Sequence, residues 1–420
     1  MSPTFRALAH RNYRLYWSGG LVSNIGTWMQ RVAQDWLVLL LSDNSGVALG
    51  ITTGLQFLPI LLLSPYAGAV ADRLPKRRLL QLAQVMMAGP AILLGVLAIT
   101  GLAQAWHVYV IALLFGMATA FEAPVRQAFV GELVGAEDLS SAVGLNSASF
   151  NAGRIIGPGV AGLTIAALGS GVQATGVVIL VNALSYGAVL VALLRMQDAD
   201  IEAAAAGERR RGMVREGLSY VLGRADLMLV VGVMAFVGTF GLNFQLTSAL
   251  MATHVYDKGA GEYGVLGSTM ALGSIAGALL TARRGSPKLR MVVGAAVAFG
   301  IAEIAIALMP TYLTFVMLTP LIGITAMTTI TTANTFVQTT VPGVLRGRVM
   351  ALYLMVFMGG TPFGAPLIGW VGETFGARWS LIAGGLVSIA GTLLCAVLYL
   401  RRSRGPGTSN IAPVEASVAS

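Results

Sequence analysis

The sequence predicts an all-α membrane protein of twelve transmembrane helices, arranged as two parallel six-helix repeats. Three observations carry that prediction. Hydrophobic residues make up 56% of the 420-residue chain and charged residues only 11%, with a mean hydropathy of +0.77. A soluble domain carries about 25% charged residues, so this chain has too few charges to build a surface that faces water. Apolar stretches long enough to cross a bilayer recur along the whole chain. The second half then repeats features of the first at a constant offset of 207 residues.

A polar N-terminus with Arg6 and Arg11 precedes the first stretch, 13–41. That stretch is too long for a signal-peptide core, and no small-residue cleavage site follows it, so it reads as an uncleaved span. The next five stretches are 47–71, 78–100, 106–130, 140–168 and 173–195. The second set is 226–253, 262–282, 291–309, 312–339, 349–373 and 379–400. Glycine contributes 52 residues. In water that number weighs against helix, whereas in lipid small residues let helices pack closely.

Between the spans, basic residues alternate. Even-numbered connections carry Arg73, Lys76, Arg77 and Arg78, then Arg209, Arg210, Arg211 and Arg215, then Arg283, Arg284, Lys288 and Arg290, then Arg346 and Arg348. Odd-numbered connections carry Lys258 and Arg378. Both termini are basic, and the positive-inside rule places them in the cytoplasm of a bacterial inner membrane. The fourth-to-fifth connection mixes Arg126 with Glu132, Glu137 and Asp138 and is placed inside by alternation. The net charge of +9 is thus spread over loops, which argues against a nucleic-acid partner. With Cys395 as the one cysteine, no disulfide forms within the chain, and three histidines make a His-rich metal site unexpected.

The expected organisation is an N-terminal half over 1–196, a cytoplasmic linker over 197–225, a C-terminal half over 226–404 and a disordered tail over 405–420. The linker opens acidic and alanine-rich, then turns basic. Met213, Gly217 and Val221 share one helical face, with Val214, Leu218 and Leu222 beside it, which predicts an amphipathic helix along the headgroups.

Residues 128–162 align without a gap on 335–369. Phe129, Val130, Val134 and Leu145 match Phe336, Val337, Val341 and Leu352, and Gly153, Gly157 and Gly162 match Gly360, Gly364 and Gly369. Both segments fall at the fourth and fifth helices of their halves. With six spans per half, the halves have the same orientation.

The second-to-third connection reads GAVADRLPKRR. Gly68, Asp72, Arg73, Lys76, Arg77 and Arg78 resemble the signature loop of the major facilitator superfamily, with Pro75 where glycine is usual. An aspartate here suits the positive N-terminus of a facing helix. The resemblance implies the eleventh helix as that partner, in a latch that shuts the cytoplasmic side, with Glu122 and Arg126 on the fourth helix as structural or gating charges. The alternative is that the loop charges only set topology. GRIIGPGVAG in the fifth helix, through Gly153, Gly157, Pro158 and Gly162, resembles the motif of drug–proton antiporters in that superfamily, or else is a general packing helix. FRALAHRNYRLYW, FEAPVRQAFVGELV and LNSASFNAGRIIGPGVAG resemble the transmembrane secretion effectors, a family similar to the enterobactin exporter. That likeness spans nearly the whole chain and implies efflux of a drug-like or siderophore-type cargo.

Ionisable residues inside a bilayer cost roughly 2.5–3.5 kcal/mol each on insertion scales, so each needs a purpose or a partner. Asn24, Trp28, Arg31 and Asp35 recur at helical spacing along the first span, a polar stripe expected to face a central cavity. Asp35 is a candidate proton carrier tuned by Arg31; the alternative is a static ion pair. Glu303 in the ninth span is a weaker candidate. Arg154, midway along the fifth span, suits an anionic cargo or a cavity acid. Asn243, Gln245, Asn334 and Gln338 are candidate cavity residues of the second half, and Trp28, Phe57, Phe236, Phe240, Phe244 and Phe357 candidate apolar contacts.

No phosphate-binding G-x-x-x-x-G-K-[ST] occurs, so energy is expected from an ion or substrate gradient. No Cys/His metal spacing or nucleophile elbow appears, and neither a cofactor nor an enzyme is expected. GAGEYG at 259–264 reads as a loop outside the membrane. The expected protein is a monomeric secondary exporter that handles a small amphiphile and protons within membrane lipid. An importer or uniporter, and a non-transporting sensor or assembly protein on the same scaffold, are the rival readings.

Overall fold

A computed structural model describes residues 3–197, 213–283 and 287–403, without the side chains of 3, 65, 68, 69, 71–73, 213–215, 344 and 403. The expected tail over 405–420 and the acidic start of the linker lie outside the described residues. Among the described residues every regular element is helical. After a short 3-10 segment the helices are α1 (Arg11–Leu41), α2 (Gly46–Arg73), α3 (Lys76–Ile99), α4 (Ala105–Ala167), α5 (Val172–Leu194), α6 (Met213–Gly223) and α7 (Ala225–Phe236). They continue as α8 (Phe244–Leu250), α9 (Ala260–Ala282), α10 (Leu289–Ala307), α11 (Tyr312–Thr340), α12 (Gly343–Gly359), α13 (Thr361–Phe375) and α14 (Ala377–Ser403).

Ten described stretches are long and apolar enough to cross a membrane. The fourth and fifth spans are counted together among them, because α4 is two helical arms, 63 residues in all, joined at a kink. At about 1.5 Å per residue it is roughly 95 Å long, three times the hydrocarbon thickness. It crosses twice by bending at Gly135, whose φ of 66° lies in the left-handed region that glycine alone enters freely. The loop expected between these spans is therefore a hinge. The remaining span is α1, which the polar residues of its stripe keep below that apolar threshold. Ten stretches, a second crossing by α4 and α1 make twelve crossings, so both ends of the bundle's chain lie on one side, here called the terminal end.

Two spans expected as single helices are interrupted. The seventh consists of α7 and α8, with π-helical turns at Val237–Gly241 and Met251–Val255. The eleventh consists of α12 and α13, joined at Gly360 with Pro362 just beyond. Proline brings no N–H to the helical ladder there, which favours a break. The GAGEYG segment is a correction as well: α9 starts at Ala260, and the Glu262 carboxylate accepts from Gly259 N–H at 3.2 Å. The linker helix α6 lays one face on the second half. Its Gly217 packs on Arg348 and Leu352 of α12, Val221 is buried, and Leu218 and Leu222 remain exposed. Arg348 pairs with Glu216 at 2.5 Å, so this face rests on protein rather than on headgroups.

The internal repeat recurs as equivalent contacts. Gly153 and Gly157 of α4 lie against Asn24 and Trp28 of α1, while Gly360 and Gly364 lie against Thr239 of the seventh span. Their partners Gly162 and Gly369 contact the next spans over, Ala260 and Gly264 of α9 and Gly46 of α2 respectively. The fifth span thus crosses from one half to the other just as the eleventh crosses back.

These crossings close the end opposite the termini. Gly46, Gly50 and Gly54 of α2 meet the backbone of Gly369, Ala365 and Pro362, and Gly264 of α9 meets that of Pro158. Toward the terminal end the same helices carry exposed apolar residues: Leu62 and Tyr66 on α2, Val143 and Phe150 on α4, Leu354 and Met355 on α12. The halves meet most closely at the far end.

A Cβ at Gly369 would stand 2.1 Å from the Gly46 carbonyl oxygen. Gly369→Val is expected to disfavour far-end closure by about 1–3 kcal/mol, a 5- to 150-fold fall in the closed-to-open ratio. Electron spin-echo distances between labels at Leu102 and Phe375, in a Cys395→Ser background, would lengthen. An unchanged distance distribution would show that this contact does not hold the end shut.

Candidate functional site

The site begins with the glycine face of α4. Because Gly153 and Gly157 bring its second arm against the α1 backbone, Asn24 and Trp28 are held close to Ser149, Phe150 and Arg154. Asn24 donates to Ser149 Oγ at 2.9 Å, and Trp28 packs edge-to-face on Phe150 at 5.7 Å. The Arg31 guanidinium lies 4.9 Å and the Arg154 guanidinium 5.9 Å from the Trp28 ring centroid. This is the expected stripe in place: Asn24 and Arg31 line one cavity wall, and Trp28 packs on Phe150 of the same wall.

That wall belongs to a cavity of about 130 Å³ inside the first half. Asn24, Arg31, Glu122, Arg126, Phe150 and Tyr186 are among its lining residues. Glu122 and Arg126, expected as structural or gating charges, face the cavity. They form an ion pair at 2.9 Å whose geometry is not that of a directed hydrogen bond. Beneath the lining, Gln30 of α1 accepts from Asn182 of α5, and Asn182 accepts from Ser185 at 2.8 Å. These buried amides fix α1 against α5 with their polar groups satisfied.

Asp35 is not in the static ion pair that was one of the two expectations. It forms no ion pair with Arg31; instead its Oδ2 accepts from the Tyr263 hydroxyl of α9 at 2.8 Å. Trp36 stacks on the same tyrosine ring at 6.1 Å between centroids. Asp35 is only 8% exposed, so this carboxyl is sealed into the contact between the halves at the closed end. Sequence reasoning missed Tyr263 because GAGEYG was taken for a loop. The signal available was the amphiphilic tyrosine at the start of an apolar run.

Glu373, also missed, sits at the far end of α13. Its Oε2 accepts from Ser45 Oγ at 2.6 Å and from Val47 N–H at 2.9 Å, at the first turn of α2. A carboxylate at a helix N-terminus satisfies free N–H groups and complements the dipole. This is the chemistry expected of Asp72 at the other end, carried out by the partner helix in the opposite direction. The side chains of Gly68, Asp72 and Arg73 lie outside the described residues, so the expected latch is not visible.

Other loop charges tie the first half to itself. Lys76 pairs with Glu132 at 2.5 Å, and Arg77 Nε donates to the Leu193 carbonyl at 2.7 Å, covering the C-terminal carbonyls of α5. Arg78 is exposed. His10 meets Asp138 at 2.9 Å, which seats the N-terminal segment on the second arm of α4.

In the second half the candidates disperse. The Asn243 amide donates to the Thr239 and Phe240 carbonyls, spanning the break in the seventh span rather than facing a cavity. Gln245 is half-buried. Gln338 donates to Asn334 at 2.5 Å near the terminal end of α11. Glu303 is 1% exposed, and its Oε2 has no hydrogen-bond partner. It faces Gly241 and Gly384 between α10, the π-helical turn and α14, away from the cavity. Phe236 packs on Gly391 and Phe357 on Gly238 and Tyr353, so these aromatics serve helix packing.

A sequence model of a family described as transmembrane secretion effector matches residues 2–414. The chain is 26% identical over 392 residues to the staphyloferrin A transporter of Staphylococcus aureus (strain NCTC 8325 / PS 47), covering 91% of this chain and 94% of that one. It is 28% identical over 379 residues to the multidrug efflux pump Tap of Mycolicibacterium fortuitum, covering 86% and 90%. Its fold is like that of a bacterial homolog of the human lysosomal transporter Spinster, solved inward-facing and unoccupied. That likeness has a TM-score of 0.71 at 15% identity and covers 92% of this chain and 98% of that one.

The Glu373 cap is open to test. Replacing it by glutamine removes the charge but keeps an acceptor, and is expected to weaken far-end closure by about 0.3–1 kcal/mol, roughly 2- to 5-fold. A thiol reagent reaching a single cysteine at Val47 would then react faster. If the Ser45→Ala and Glu373→Gln effects simply add, the two groups do not act as one cap.

Proposed function

The chain belongs to the transmembrane secretion effector family, and we propose that it is a secondary active exporter of small amphiphilic molecules that exchanges cargo for protons by alternating access. The single observation that carries the coupling is Asp35, a carboxyl buried in the contact that shuts one end and hydrogen-bonded across the halves to Tyr263. The charge pattern of the connections assigns the terminal end to the cytoplasm of a bacterial inner membrane. On that assignment the cavity opens inward and the closed gate faces outside. The staphyloferrin A and multidrug names of the two relatives support cargo in this size and polarity range.

The cycle follows from the cost of burying charge. An ionised Asp35 is expensive inside a closed contact, whereas a protonated one is far cheaper. A proton arriving from outside therefore favours closure of the far gate and passage to the inward-facing form. There the proton leaves through the cavity. Asp35 is then an anion in a dry contact, held by one tyrosine hydroxyl, and reopening the gate to water relieves it. With cargo bound, that reopening delivers cargo outward. The rocking elements are the paired crossings of α2 with α13 and of α4 with α9, whose glycines permit sliding contact without large side chains in the way.

In energised inside-out vesicles, a pH-sensitive dye should report proton release when staphyloferrin A or a drug series is added to wild-type protein. Asp35→Asn should reduce that release at least tenfold while purified protein stays monodisperse. Cargo flux without proton movement would sink the antiport reading in favour of a uniporter. Release unaffected by Asp35→Asn would keep antiport and remove Asp35 as carrier, leaving Glu303 to be tested next.

A further inference from the structure

The charge inventory of the cavity is unbalanced. Arg31 and Arg154 both lie against Trp28, and neither makes an ion pair or hydrogen bond among the described residues. Arg31 Nε is buried without a partner. The charges facing this region from the packed elements are few. On α1 Asp35 is engaged by Tyr263 of α9, and on the first arm of α4 Glu122 is engaged by Arg126. α3 contributes Gln84 and α5 contributes Tyr186, neither of them an acid. Two guanidinium groups thus share one aromatic ring with no carboxylate in ion-pair contact with either, Asp35 acting on Arg31 only through its field.

Both side chains are half-buried, the buried Nε of Arg31 is costly to leave unpaired, and two like charges on one ring repel each other. Contact with an indole face offsets part of that cost, because the ring quadrupole attracts cations. It leaves the planar N–H forks unused, and those forks match carboxylate, sulfonate and phosphate oxygens. A site built for a cationic drug would show the reverse, an unpaired acid beside aromatic rings.

We propose that the cavity takes an amphiphilic anion, its acidic group bound by Arg31, which lines the cavity, and by Arg154, which shares the Trp28 ring with it, and its apolar part against Phe150. This rests on the export reading for its direction but not for its binding chemistry. It also links cargo to gate. Arg31 lies one helical turn from Asp35, so an anion that engages Arg31 withdraws positive field from a carboxylate buried in the closed contact. Occupancy of the cavity then favours reopening of the gate. Because the cargo is negative, an inside-negative membrane potential drives it outward as well.

Two xanthene dyes of opposite charge test this on the purified full-length protein, by fluorescence anisotropy corrected for protein-free micelles. The anion 6-carboxyfluorescein should bind saturably, at least tenfold more tightly than the cation rhodamine 6G. Arg31→Gln and Arg154→Gln should each weaken carboxyfluorescein about tenfold or more, as expected for a lost charge-assisted contact. Arg31→Lys and Arg154→Lys keep the charge, guard against misfolding and should recover part of that loss. Equal or tighter binding of rhodamine 6G, no saturable binding of carboxyfluorescein, or Gln variants that bind it like wild type would each overturn the proposal. The dye experiment needs neither flux nor a proton gradient. Anion-selective binding without antiport would therefore remove the export cycle and leave the anion site standing, and antiport of cationic cargo would do the opposite.

Discussion

Close backbone contact between the halves at the far end is the constraint on which the other features depend. In lipid no hydrophobic driving force holds helices together, so packing must come from van der Waals contact at short range. Here the short range is reached by glycine against backbone carbonyl, at Gly46 with Gly369, Gly50 with Ala365 and Gly264 with Pro158. Such contacts are flat and nearly featureless. They can be made tightly and separated without withdrawing large side chains from pockets, which is what a contact that must open and close requires.

Polar groups are then placed according to this contact. Asp35 and Tyr263 lie within it, one from each half, so the protonation state of a single carboxyl bears on whether the end stays shut. Glu373 lies at its rim and completes the first turn of α2. The cavity residues lie toward the open end, where Trp28 stands between two arginines. Gate and cavity are consecutive turns of one helix, α1. On the proposed cycle, cargo and proton act on the same element without needing to touch.

Much of this was legible in the residues. The periodic stripe from Asn24 to Asp35 marked the face of α1 that is turned inward, because a long apolar helix places polar side chains at helical spacing only where something other than lipid receives them. The repeat found the equivalent glycines of the fifth and eleventh spans, and those glycines make equivalent contacts in the two halves. Less legible were the breaks. The bend at Gly135, the π-helical turns around Asn243 and the joint at Gly360 lie within apolar or small-residue runs, where hydropathy has no signal. That Glu122 and Arg126 face the cavity was not legible either, because the rotation of their helix is set by its packing.

Composition, span length and the alternation of basic residues determined that the chain is a twelve-span bundle of two like halves, since those features answer to the bilayer, a uniform solvent that reads one helix at a time. The tertiary structure alone decided partners. Whether Asp35 meets Arg31 on its own helix or Tyr263 across the bundle, and whether two arginines share one tryptophan, depends on distances between segments 123 to 228 residues apart in the chain. Helical spacing can place a charge on a face, but which group from another helix stands opposite is set by how the glycine surfaces bring the helices together.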